Sequence, residues 1–83
     1  MMLKVVLQYT DCLQDGRNVF DTLANHNVAI LKTQSRSWST CPRITIVIRD
    51  YSDLNDLVCA LNRNCIYEVR VVKTKFIKEK TND

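Results

Sequence analysis

The sequence predicts an α+β domain in which two helices cover one face of a four-stranded antiparallel sheet. Three observations carry this expectation. Two segments, 3–9 and 43–49, alternate side chains at the period of a strand, two more, 28–33 and 66–76, are runs rich in apolar or β-branched residues, and two others repeat apolar residues at the period of a helix. The 83 residues fill one compact domain, since such domains run from roughly 50 to 250 residues. Each helix carries a single apolar stripe, so both stripes are buried against the same sheet.

The first strand is read from Leu3, Val5, Leu7 and Tyr9 on one face, with Lys4, Val6 and Gln8 on the other. Turn formers follow across 10–16, among them Asp11, Asp15 and Gly16, the only glycine of the chain. A helix is expected from 15 or 17 to 26, with Val19, Phe20, Leu23 and Ala24 as its apolar face. Asn25, His26 and Asn27 end it, because asparagine tolerates the left-handed backbone that closes a helix.

The second strand is expected over 28–33, running on towards Arg36 or Trp38 as it turns polar, with the hydroxyl-rich stretch 35–42 and its Pro42 suiting a hairpin connection. The third, over 43–49, points Ile44, Ile46 and Ile48 one way and Thr45, Val47 and Arg49 the other. Ser52 is a suitable N-cap for the second helix, with Asp53 favourable to the helix dipole. Leu54, Leu57, Val58 and Leu61 give that helix its core face, and Asn62 and Asn64 end it. The β-branched and aromatic stretch 66–76 supplies the fourth strand. Right-handed crossovers put the first and third strands at the centre, giving the ferredoxin-like βαββαβ sandwich. Residues 1–76 form the domain and 77–83 a polar, charged tail. The uncovered sheet face is expected to carry Val6, Thr45, Val47, Arg70 and Val72, apolar enough to favour self-association.

Composition narrows the function. With 46% hydrophobic and 25% charged residues the composition argues against intrinsic disorder. No window approaches the ~20 apolar residues of a membrane helix, and Lys4 interrupts the apolar start, which argues against a signal peptide. Twelve basic against nine acidic residues give +3, too mild to specify nucleic acid. Lys73, Lys75, Lys78 and Lys80 crowd the C-terminal stretch, and with Arg36 and Arg43 they are read as dispersed groups giving weak, salt-sensitive contacts. Cys12, Cys41, Cys59 and Cys65 contain no C-x-x-C pair, so neither a metal nor a disulfide framework is expected. Four reduced thiols in a cytoplasmic protein are expected instead.

No catalytic constellation emerges. His26 is read as an exposed helix-terminal residue, Cys59 as core packing, and Cys12 as the one plausibly reactive thiol. Asp11 and Asp15 lie in a turn where aspartate is commonplace, and one glycine does not build a phosphate-cradling loop. No cofactor is expected. Trp38, with Arg36 and Arg43, marks a macromolecular contact.

The stretches Asn27-Val28-Ala29-Ile30, Ser35-Arg36-Ser37 and Arg43-Ile44-Thr45-Ile46-Val47-Ile48-Arg49-Asp50 resemble an ACT domain, as do Leu54, Leu57, Leu61 and the ending Ile66-x-x-Val69-Arg70-Val71-Val72. The pattern is most similar to the C-terminal ACT domain of RelA/SpoT-type guanosine tetraphosphate synthetases and hydrolases, over 3–72. The resemblance implies a non-catalytic regulatory module within a stringent-response enzyme of GTP pyrophosphokinase type. It implies a homodimer and amino-acid sensing, or contacts with neighbouring domains or ribosomal RNA. The implied ligand-binding residues are Asp11, Cys12, Leu13, Gln14, Asp15 and Gly16, with Asn27, Val28, Ala29 and Ile30. Ligand-binding members have Asp-Arg-x-Gly-Leu-Leu at the first loop. Here Gln14 stands where that glycine is expected and Gly16 is displaced, which suits a protein or RNA contact better than a small molecule. The alternative is a ferredoxin-like dimeric nucleic-acid-binding domain, against which stands a first helix whose one cation is Arg17.

Overall fold

The computed structural model describes residues 2–10, 12–34 and 41–77. The elements are β1 (Met2–Gln8), α1 (Leu13–Asn25), β2 (Ala29–Gln34), β3 (Arg43–Ile48), α2 (Tyr51–Asn64) and β4 (Arg70–Ile77). All neighbouring strands are antiparallel, in the order β2-β3-β1-β4, so β1 and β3 are central in a ferredoxin-like sandwich. No helix among the described residues is long and apolar enough to cross a membrane.

One core joins the layers. Leu3, Val5 and Leu7 of β1 and Ile44, Ile46 and Ile48 of β3 meet Val19 and Leu23 of α1 and Leu54, Leu57 and Leu61 of α2. The apolar stripe expected on α1 is corrected. Phe20 is 40% exposed and Ala24 is exposed, while Asp15 and Thr22 are buried beside Val19 and Leu23. Both polar residues are satisfied within the fold. The Thr22 hydroxyl donates to the Asn18 carbonyl at 2.7 Å and accepts from Asn64 Nδ2 at 3.1 Å. Cys59 is exposed rather than packed in the core. It follows Leu57 by two positions, roughly 200° around a helix of 3.6 residues per turn.

Helix ends and strand bounds also differ from expectation. α1 starts at Leu13, and the cap of α2 is Asp50, not Ser52: its Oδ1 accepts from the Asp53 backbone N–H at 2.9 Å. Asn27 does take the left-handed conformation, with φ 55°. Around it the Asn27 N–H donates to the Ala24 carbonyl and the Val28 N–H to the Leu23 carbonyl, the paired bonds of a Schellman closure. The fourth strand begins at Arg70 instead of 66, because side chains occupy the preceding backbone. Asp15 accepts from the N–H groups of Ile66 and Tyr67, and Asn62 Oδ1 from that of Val69. Ile77, the first residue of the expected tail, belongs to β4. The hairpin segment 35–40 and residues 78–83 lie outside the described residues.

Each outer strand carries one extra residue. On β4, Val71 pairs with Leu7 and Lys73 with Val6, leaving Val72 unmatched; on β2, Ile30 pairs with Ile46 and Lys32 with Thr45, leaving Leu31 unmatched. A bulge of this kind reverses which face later residues occupy.

Candidate functional site

The expected ligand loop is the entry to α1. Cys12 occupies the N-cap position with an extended backbone and no side-chain cap bond; Leu13 and Gln14 are exposed in the first turn. Cys12, Leu13 and Gly16 line an open hollow of about 450 Å³ with Tyr9, Phe20 and Pro42. A Cβ placed on Gly16 would meet nothing within 4 Å, so no close approach here calls for glycine. Asp15 points away from this hollow's solvent. Its carboxylate accepts from Ile66 N–H at 2.8 Å and Tyr67 N–H at 2.9 Å, tying the start of α1 to the chain leaving α2. Asp11 lies outside the described residues.

The other half of the expected site is elsewhere. Asn27, Val28 and Ala29 line a second hollow, of about 560 Å³, together with His26, Arg49 and Asp56. Ile30 follows on β2, half open at 41%. The two halves are separated by the 13 residues of α1, about 20 Å at ~1.5 Å per residue. A single chain does not bring them together. Of the expected macromolecular contacts, Arg36 and Trp38 lie outside the described residues. Arg43 begins β3, and its Nε donates to Gln8 Oε1 at 3.2 Å.

The strongest side-chain grouping is one that sequence reasoning missed, on the sheet face opposite the helices. The strand registers set three rungs across it. Lys4 stands between Val47 and Lys75; Thr45 and Val6 stand between Lys32 and Lys73; Arg43 and Gln8 stand between Gln34 and Arg70. Every rung therefore holds two cations and none holds a carboxylate. Five of the six line one shallow cleft of about 360 Å³, where Val6, Thr45 and Val72 form part of the floor. Arg70 is paired with Glu68 at 2.9 Å, whereas Lys4, Lys32, Arg43, Lys73 and Lys75 have no ion-pair partner among the described residues. Lys4 and Lys75 oppose each other directly, an arrangement that costs stability. Val6, Thr45, Val47, Arg70 and Val72, the residues expected on the uncovered face, do occupy it. The cations around them are grouped and not dispersed.

The thiols are all free. Burial pushes the Cys65 thiol up from its ordinary value, reinforced by the charge of Asp15 and by Cys12, which disfavours its thiolate at neutral pH. Among the described residues, no three of the His, Cys, Asp and Glu side chains converge to hold a metal. No family model matches the chain, and no curated protein matches it.

Proposed function

We propose that the chain is a non-catalytic regulatory and interaction module of ACT type that works as a homodimer joined through β2. The observation that carries this reading is the state of that edge. Every residue of β2 is exposed, Leu31 at 55%, and its outer backbone groups have no strand beside them among the described residues. Such an edge is a template for pairing. The opposite edge, β4, is blunted by Arg70, Lys73 and Lys75. Two copies related by a two-fold axis pair β2 against β2 antiparallel. The start of the partner's β2 then lies beside Gln34, whose rung neighbours Arg43 and Gln8 are at the α1-entry end of the sheet. Pairing thus draws the 12–16 start of α1 in one protomer towards the 27–30 segment of the other, closing in the dimer what one chain leaves apart.

If a small ligand binds despite the altered first loop, an amino acid is the class that fits, its carboxylate meeting the free N–H groups of α1's first turn. On the ACT resemblance, the module serves a cytoplasmic stringent-response enzyme and reports ligand or contact state to a catalytic domain. Sedimentation velocity tests the reading. The wild-type chain is expected to be dimeric at ~100 μM, a concentration that populates a micromolar complex, and Leu31→Lys to be monomeric yet folded. Amide shifts on amino-acid titration are expected in both 12–16 and 27–30 of the wild type and to vanish in the variant. A wild-type monomer at that concentration overturns the dimer.

A further inference from the structure

We infer that the open sheet face is a docking surface for the phosphate backbone of a double-stranded nucleic acid, a function separate from pairing through β2. The argument begins with charge. All described carboxylates but that of Glu68 belong to α1, α2 or the Asp50 cap, and Glu68 is already paired to Arg70. The sheet face keeps Lys4, Lys32, Arg43, Lys73 and Lys75 without a counter-ion among the described residues. The rungs are two residues apart, ~7 Å at the rise of a strand, and the four strands span ~15 Å at ~4.8 Å per step. That is a two-dimensional array of cations, not a point site for one small anion.

The fold also carries a cost at this face that one substitution would remove. Lys4 and Lys75 directly oppose each other, a pairing that destabilises a sheet. The bulge at Val72 puts Lys73 and Lys75 on the same face as Arg70, where strict alternation would send them to the helix side. A polyanion relieves the repulsion by releasing its own counter-ions to bulk solvent. The same face argues against a second copy of itself as occupant, since stacking two such faces would oppose ten unpaired cations.

The choice of a duplex over a single strand rests on what the rungs lack. None of their positions holds an aromatic side chain, so among the described residues of this face splayed bases have no platform on which to stack. A double helix keeps its bases paired and offers only backbone. Binding is therefore indifferent to sequence.

The test uses the full chain and a 20-base-pair RNA duplex, the same sequence as DNA duplex, the single strand, and a poly-glutamate peptide, from 50 to 200 mM salt. Both duplexes are expected to bind, with log affinity falling linearly in log salt at a slope of about −4. Lys4→Gln and Lys75→Gln are each expected to reduce that slope by about 0.9 while raising the melting temperature by about 2–4 °C. Arg63→Gln, on α2, is expected to leave the slope unchanged. No duplex binding at 50 mM salt overturns the proposal, as does wild-type binding in the Lys4→Gln, Lys75→Gln double variant. Tighter binding of the single strand or of poly-glutamate overturns the choice of partner.

Discussion

Asp15 shows how a polar residue can hold a fold that is read as apolar. It is buried at the start of α1, where a carboxylate suits the helix dipole, and it spends both oxygens on the backbone beyond α2. Asp15→Ala leaves two N–H groups without acceptors and is expected to lower stability by about 2 kcal/mol, read from the urea midpoint. Asp15→Asn keeps one acceptor oxygen and should fall between. Asn27 is constrained differently, by its backbone: at φ 55° a side chain without a local hydrogen-bonding group is strained. Asn27→Ala should cost about 1 kcal/mol, and Asn27→Gly should be neutral or slightly stabilising in the same denaturation experiment. The need for asparagine at that position was legible, since Asn25-His26-Asn27 follows the last apolar repeat of the helix. The burial of Asp15 was not. Its partners lie at 66 and 67, and no local period points to a bond that long-range packing creates.

At the scale of elements, alternation identified β1 and β3 almost to the residue, because both are central and regular. The outer strands were harder to read. Strict alternation puts Arg70, Val72, Thr74 and Phe76 on one face; the bulge instead groups Arg70 with Lys73 and Lys75, and sends Thr74 and Phe76 towards Val5 and Leu3. Bulges depend on which strand lies alongside, so the cationic face could not be assembled from the sequence of β4 alone. Phe76 gains a contact from this placement: its ring meets that of Tyr51 edge-on at 5.5 Å. A deletion pair tests the register. Removing Val72 leaves all other β4 pairings intact and is expected to cost under about 1 kcal/mol, within the range of mild changes. Removing Thr74, with the strand still anchored at both ends, brings Lys73 opposite Val5 on the core side. That should cost several kcal/mol, about 3 or more, because it places a charge against the apolar layer. Thermal melts of the two deletions decide it, and equal losses would show the register to be wrong.

For the molecule as a whole, the layer that makes the core also divides the charge. The chain's net +3 is modest, yet the described acids other than Glu68 sit with the helices or the Asp50 cap and most described bases with the sheet. Net charge and distribution are separate physical quantities, and reading the first as mild concealed the second. A body with opposite signs on opposite faces has an electric dipole running through its thickness. In the field of a polyanion it is rotated before it touches, and the sheet side turns forward during approach. Orientation is then no longer left to chance collisions, so encounter is faster than a uniformly charged domain of +3 would manage. Salt shortens the distance over which that turning acts, to ~8 Å at physiological strength. Added salt therefore acts twice, slowing association by shortening that reach and speeding release because counter-ions return to the polyanion.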